Sequence, residues 1–355
     1  MNPAFQTFLS AAAEDRRDAF LGTSRRRGTP AHNVEKDFWV CWTLDVLFNG
    51  AAANAPRLLF KGGTSLSKAF GLISRFSEDI DITIFRDDLG QGASIEALEA
   101  LSGKKRRARL DAIKAASQAH VSHSMRSQLA GQLGAALQAA GLPPAMARVE
   151  LDPDDPDQQS LLIRYPQVTA AADGYVRPAV KVEAGAKSAL DPNRPAVIRP
   201  YVADDVAGMD LTVVDVTTVV AERTFWDKIV ILHGLCQWFE KCGELCGAQR
   251  GSRHHYDVYG LLASDVGRTA MRDRDLALDC VQHARMFFNS VDLNVAAAVP
   301  GSFTLSPTPD MAAALARDYA AMSGMIFGQP PPFADILRSP TSKRTSTRSD
   351  AAASH

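Results

Sequence analysis

Two aspartates, separated by one residue, dominate the chemistry that this sequence could perform. Asp79 and Asp81 belong to the segment DIDITI at residues 79–84, whose alternation predicts a half-buried strand. The alternation places both carboxylates on the face opposite the isoleucines, close enough to hold one cation between them. Two carboxylates beside a core are costly unless they are solvated, paired or bound to a metal. We therefore expect a divalent cation at Asp79 and Asp81.

A pair of glycines lies upstream of the aspartates. The apolar run at residues 58–60 predicts a strand that breaks at Gly62–Gly63, and a helix-like segment, SLSKAFGLI, follows at residues 65–73. Backbone amides at a helix N-terminus bind phosphate groups. We assign nucleotide binding to five consecutive residues, with the hydroxyl of the last one as a direct contact: Lys61, Gly62, Gly63, Thr64 and Ser65. The glycines are not followed by the GK[ST] ending of a P-loop.

The order of these motifs resembles the nucleotidyltransferase superfamily. The segment KGGTSLSKAFGL, followed by RFSEDIDITI, resembles more narrowly the AbiEii/AbiGii toxin family. This family includes the MenT-type toxins of toxin–antitoxin systems. Two further segments, EKDFWVCW at residues 35–42 and DYAAMSGMIFG at residues 318–328, also resemble the family. The resemblance covers roughly residues 33–335. It implies an α/β (α+β) fold, with a nucleotidyltransferase-fold N-terminal lobe built on a mixed sheet and a mainly helical C-terminal lobe.

Later motifs of the family imply four more site residues. Glu183 ends an alternating strand at residues 178–183 and matches the third carboxylate that nucleotidyltransferase folds place beside the aspartate pair, so it is expected to bind metal. Lys228, in AERTFWDKIVILH, and Asp257, in RHHYDVY, match the functional lysine and aspartate of the third and fourth motifs. A triphosphate needs cationic partners as its leaving group gains charge. Arg253 is a further expected phosphate contact, because a guanidinium binds phosphate bidentately.

The resemblance implies the toxin component of a toxin–antitoxin or abortive-infection system. The expected reaction is Mg²⁺-dependent transfer of a nucleotide from an NTP to RNA, with the 3′ end of tRNA as acceptor and arrested translation as the outcome. The catalytic residues would be Asp79, Asp81, Lys228 and Asp257, and an AbiEi-like antitoxin would be the partner. Two alternatives stay open: a catalytically silent nucleotide- or RNA-binding module, and phosphoryl transfer on the same scaffold.

The composition, 46% apolar and 22% charged, is that of a soluble globular protein. No stretch approaches about 18 uninterrupted apolar residues, which excludes a membrane span, and the N-terminus lacks a signal-peptide core, which favours the cytoplasm. A formal net charge of −1 means that RNA must bind through local basic patches. The basic run at residues 104–107 is either a solvated helix face or such a patch.

The periodicity of the chain predicts its remaining elements. Helices are expected at residues 4–22, at 34–48 with Asn33 as the cap, at 94–140 and at 217–246. Short strands are expected at residues 149–151 and 161–165. We divide the chain into an N-terminal lobe at 1–215, a helical lobe at 216–335 and a disordered tail at 336–355.

Overall fold

The computed structural model describes residues 1–170, 177–245 and 250–338. Most of the predicted tail lies outside the described residues. The chain forms two units, one of Met1–Gly71 with Arg75–Val220, and one of Leu72–Ser74 with the residues from Ala221 onward. The lobe boundaries expected at residues 215 and 335 remain predictions. Within the described ranges, no helix is both long enough and apolar enough to cross a membrane.

The described part of the first unit contains a seven-stranded mixed sheet. Its strands are β1 Leu58–Lys61, β2 Asp79–Ile84, β3 Arg148–Leu151, β4 Ser160–Arg164, β5 Val180–Gly185, β6 Asn193–Ile198 and β7 Val213–Val219. The spatial order is β3-β4-β5-β2-β1-β7-β6, in which the β2–β5 and β1–β7 pairs are parallel and the other pairs antiparallel. The carboxylate strand β2 and the glycine-turn strand β1 are therefore central neighbours. The predicted α/β class with a mixed sheet is confirmed.

Helices of the first unit cover this sheet. They are α1 Pro3–Leu9, α2 Ala13–Arg27, α3 Ala31–Asn49, α4 Gly62–Lys68, α5 Ile95–Glu99, α6 Gly103–Ala119 and α7 Arg126–Ala139. The central one is α3, which is buried on every side from Asn33 to Leu47. Phe38 of α3 packs against Phe8, with ring centroids 4.7 Å apart, and Trp39 stacks on Tyr165 at 5.2 Å. Each buried aromatic side chain contributes roughly 2–3 kcal/mol through apolar burial.

The described part of the second unit is mainly helical, as expected for the C-terminal lobe. Its helices are α8 Ala221–Cys242, α9 Ser252–Leu262, α10 Asp265–Ala270, α11 Arg274–Phe287, α12 Pro309–Met322 and α13 Phe333–Leu337. The long helix α8 contributes to two apolar clusters. In one, Val230 packs with Val281 of α11. In the other, Phe239 packs with Leu315 of α12. Burial along α8 thus holds the surrounding helices together.

Several predicted boundaries were wrong. The helix expected at residues 4–22 is divided into α1, which ends at Leu9, and α2, which runs from Ala13 to Arg27. The helix expected at residues 217–246 begins only at Ala221, because the β-branched run before it forms the end of β7. The helix expected at residues 65–73 begins at Gly62 and ends at Lys68, ahead of a glycine with positive φ. Asn33 is not a cap, because α3 begins at Ala31 and the Asn33 amide donates to the Thr29 hydroxyl.

Candidate active site

The glycine turn joins β1 directly to α4. β1 ends at Lys61 and α4 begins at Gly62, whose φ of +82° lies in the region that other residues rarely adopt. A Cβ atom on Gly62 would lie 2.0 Å from Oδ2 of Asp81, far inside van der Waals contact. The backbone at residue 62 therefore accommodates the Asp81 carboxylate only because this position has no side chain.

Strand pairing brings the predicted carboxylates to one face of the sheet. Lys61 of β1 lies opposite Asp81, and Asp81 lies beside Glu183 of the parallel strand β5. Ile80 is fully buried, whereas Asp79 and Asp81 are partly exposed, so the predicted alternation of β2 is present. Residues that pair directly across strands point to the same side of a sheet. The three carboxylates and the Lys61 side chain consequently share a face.

The pKa of Asp79 shows the effect of this clustering. The pKa of Asp79 is raised to about 6, chiefly by desolvation and additionally by the negative charges of its neighbours Glu78, Glu183 and Asp81, which outweigh the opposing cation of Lys36. A divalent cation held by Asp79 and Asp81 would relieve this repulsion. Carboxylate oxygens are also the ligands that Mg²⁺ prefers. The donor chemistry of the aspartate pair therefore fits Mg²⁺.

Glu183 is already paired with a lysine. The Nζ atom of Lys181 lies 2.6 Å from Oε1 of Glu183 and 3.2 Å from Oδ2 of Asp152. As the side chains stand in the described residues, no three His, Cys, Asp or Glu are grouped to hold a metal ion. Glu183 would thus have to leave Lys181 in order to join a metal bound by the aspartates, and its role as a ligand remains a prediction.

The hydroxyls of the glycine turn are buried and serve the turn itself. Thr64 donates to the backbone carbonyl of Asp79, and its Oγ1 lies 2.9 Å from Oγ of Ser77. Ser65 Oγ donates to the carbonyl of Gly62 at 2.9 Å. These bonds attach α4 to β2 and close the first turn of the helix. Direct contact of the Thr64 and Ser65 hydroxyls with phosphate remains a prediction.

Two buried ion pairs that sequence reasoning missed connect α3 to the site. Lys36 Nζ lies 2.8 Å from Oε2 of Glu78, the residue before β2, and Lys68 Nζ at the end of α4 lies 2.7 Å from Oδ1 of Asp37. The four side chains are at most 6% exposed. A signal was present in the sequence, because the charged run 35–37 stands in an otherwise apolar helix, where charges are rare unless they are paired.

In the second unit, α8 and α9 are joined by a buried ion pair. Lys228 Nζ lies 2.8 Å from Oδ2 of Asp257, and the two side chains are 6% and 0% exposed. The structure thus brings together two residues that the resemblance matched to separate motifs. A buried charge without a partner is strongly destabilising, so each residue constrains the position of the other. Their catalytic roles remain predictions.

The start of α9 is held by an aspartate that sequence reasoning did not single out. Asp318 of α12 accepts hydrogen bonds from the backbone N–H of Arg250 at 2.7 Å, and from the N–H and hydroxyl of Ser252 at 2.8 and 2.6 Å. Arg253, the expected phosphate contact, follows directly and is partly exposed. The only sequence signal was that Asp318 opens the family-like segment at residues 318–328. Asp318 therefore positions the part of α9 that carries Arg253.

At the centre of the mixed sheet, the glycine turn packs against an aspartate of the neighbouring strand. This arrangement is typical of a nucleotidyltransferase site. Residues 45–339 match the family model described as nucleotidyl transferase AbiEii toxin, type IV toxin–antitoxin system. The chain belongs to this family, and the resemblance read from its motifs is confirmed. It is thereby a nucleotidyltransferase toxin of a type IV toxin–antitoxin system, a setting that implies an NTP substrate and an antitoxin.

Other comparisons add little. No curated protein matches the chain. Among solved structures, the chain is similar to MenT4, a nucleotidyltransferase toxin from Mycobacterium tuberculosis, at 16% sequence identity and a TM-score of 0.45. That similarity spans 87% of this chain and 89% of MenT4. It is too weak to support any conclusion about the site.

Proposed function

We propose that this toxin catalyses Mg²⁺-dependent transfer of a nucleoside monophosphate from an NTP to a hydroxyl of RNA, with the 3′ end of tRNA as the acceptor. The main support for the proposal is the close packing of the Asp81 carboxylate against the Gly62 backbone. Asp79 lies two residues before Asp81 on the same strand. The contact supports the proposal because the turn offers backbone amides suited to phosphate and the aspartates offer carboxylates suited to Mg²⁺. NTPs and tRNA are cytoplasmic substrates, so the reaction is assigned to the cytoplasm.

The chemistry assigns a function to each group of the motif. The acceptor oxygen forms a bond to the α-phosphorus of the NTP, the bond from that phosphorus to pyrophosphate breaks, and the hydroxyl proton is released. Asp79 and Asp81, with Glu183 after it leaves Lys181, would hold Mg²⁺. When bound, the metal lowers the pKa of the attacking hydroxyl and neutralises charge on the triphosphate. The backbone amides of residues 62–65 bind the phosphates.

Lys228 and Arg253 are proposed as the cationic contacts with the triphosphate. Lys228 would contact the phosphates as charge develops on the leaving pyrophosphate. Asp257, at 2.8 Å from the lysine ammonium, would keep Lys228 in position. Arg253, next to the Asp318-bonded start of α9, would add a bidentate contact. Modification of the tRNA 3′ end would arrest translation, and a cognate AbiEi-like antitoxin would oppose it.

The experiment that tests this proposal is a labelling assay. The purified protein is incubated with Mg²⁺, total tRNA and each α-³²P-labelled NTP in turn, beside Asp81→Ala and the control Asp87→Ala. Asp87 is exposed beyond the end of β2, so its loss removes a nearby carboxylate without touching the pair. We expect labelled tRNA from the wild type and from Asp87→Ala, and a loss of at least a hundredfold in Asp81→Ala.

Three results would contradict the proposal in different ways. Full activity in Asp81→Ala would remove the aspartate pair from the mechanism. Label entering RNA from γ-labelled NTP but not from α-labelled NTP would indicate phosphoryl transfer. RNA binding that is equal with and without Mg²⁺, and no product from any NTP, would indicate a silent binding module.

A further inference from the structure

The first turns of helix α6 carry four consecutive cationic residues, at positions 104–107. We call this segment the basic ridge. Lys104, Lys105 and Arg107 are exposed, and Arg106 is partly exposed. The fully buried positions of α6 lie farther along the helix, at Ile113 and Ser117. The ridge therefore projects from the first unit into solvent.

The ridge has no acidic partner at ion-pair distance among the described residues. Within the described part of the chain, none of its four cations forms an ion pair, whereas Lys114, two turns farther along α6, lies 2.5 Å from Oδ1 of Asp157. The first turn of α6 contains no acid, and each cation there opposes the helix dipole by roughly 0.3–1 kcal/mol. The ridge is thus a cluster of positive charge without an ion pair in the described fold, at a helix end where cations are unfavourable.

The basic ridge is connected to the carboxylate strand. Arg109 of α6 donates to Oε1 of Gln91 at 2.6 Å and to the carbonyl of Gly92 at 2.9 Å. Both acceptors lie in the loop that follows β2. Lys104 is five residues before Arg109, which is about 7.5 Å along a helix. The start of α6 is therefore attached to the loop that follows the strand of Asp79 and Asp81.

We propose that the basic ridge binds the phosphodiester backbone of the RNA acceptor. This inference rests on the proposed function and adds to it the surface that holds the RNA. The net charge of −1 gives the whole chain no attraction for a polyanion, so the affinity must come from a local cluster. Lysine and arginine contacts with phosphates position a nucleic acid without reading its sequence. The ridge has this chemistry, and its charges are not used within the described fold.

The test is a triple variant, Lys104→Ala/Lys105→Ala/Arg107→Ala, which keeps the residues that pack α6 on the sheet. The matched control removes three exposed arginines elsewhere, Arg17→Ala/Arg25→Ala/Arg272→Ala, and has the same net charge. The affinity for tRNA is measured at several KCl concentrations. We expect the slope of log K against log[KCl] to become shallower by about 2 in the ridge variant only, since each lost phosphate contact contributes about 0.7–0.9.

Steady-state labelling of tRNA gives a second readout. The ridge variant should show a KM for tRNA about tenfold higher, with kcat and the KM for NTP unchanged, because the ridge binds RNA away from the reacting phosphate. A ridge variant with the salt slope and KM of the wild type would contradict RNA binding by the ridge, but it would not contradict the proposed function. Ridge-dependent tRNA binding without any labelling would contradict the proposed function, but it would support RNA binding by the ridge. A wild type that binds no RNA would overturn both.

Discussion

The pair of Lys68 and Asp37 allows a sharp test of what holds the glycine turn in place. Lys68→Met keeps an apolar chain of similar length but removes the ammonium group that lies 2.7 Å from the Asp37 carboxylate. Asp37 is 2% exposed, and among the described residues it then keeps the hydrogen bond from the Tyr201 backbone N–H at 2.6 Å and the charge of Arg27. Removing one partner of a buried pair costs about 3–5 kcal/mol. We expect the free energy of unfolding at pH 7 to fall by this amount.

The pH dependence of this loss follows from the environment of Asp37. Burial raises the pKa of Asp37, and the charge of Lys68 is the largest influence that lowers it. In Lys68→Met the pKa of Asp37 must rise further. The folded variant then holds a proton that the unfolded chain releases above about pH 4, so the free energy of unfolding increases as the pH falls. The deficit relative to wild type should shrink by up to about 1.4 kcal/mol per pH unit below pH 7.

Urea titration followed by tryptophan fluorescence measures this deficit. Trp39 and Trp42 are buried in α3, the helix that carries Asp37, and they report alone once Trp226 and Trp238 are replaced by phenylalanine. The titrations are carried out at pH 7, 6 and 5 on wild type and on Lys68→Met, both in this background. A common slope with urea would show that the same surface is exposed on unfolding in each protein.

The control is Lys114→Met, which breaks the pair with Asp157. There the two side chains are 31% and 50% exposed, so the expected loss is below about 1 kcal/mol. A loss in Lys68→Met no larger than in this control would refute the reasoning about burial. A large deficit that stays constant from pH 7 to pH 5 would refute the assignment of the cost to an ionised Asp37.

Two further substitutions test the site locally, both by urea titration and tRNA labelling. Gly62→Ala should abolish transfer and cost more than 1 kcal/mol, because its Cβ would lie 2.0 Å from Oδ2 of Asp81. Gly71→Ala, also at positive φ but with open space around it, should cost about 1 kcal/mol and stay active, and equal behaviour of the two variants would contradict the proposed contact. Asp318→Asn should lower the free energy of unfolding by roughly 1–2 kcal/mol through weaker bonds to the start of α9, whereas the exposed Asp310→Asn should change it by less than about 0.5 kcal/mol.

Local patterns in the sequence were sufficient for the central motif. The alternation at residues 79–84 predicts β2 and its two faces, since the side-chain period of a strand is a property of the strand itself. The apolar run that breaks at Gly62 predicts the end of β1 in the same way. Boundaries at residues 217–219 were harder to predict, because a short β-branched run has the same apolar character in a helix and in a strand until its neighbours are known.

The contacts between distant segments could not be predicted from local patterns. The pairing of Asp81 with Glu183 depends on the order of strands in the sheet. The contact of Asp81 with Gly62 depends on the register between β1 and β2. The partners of Lys36 and Asp37 lie 42 and 31 residues away along the chain. The residue types available at the site, and their order along the chain, follow from the sequence alone. Packing decided which charges are paired, because the energy of an ion pair depends on distance and burial, and neither is local in sequence.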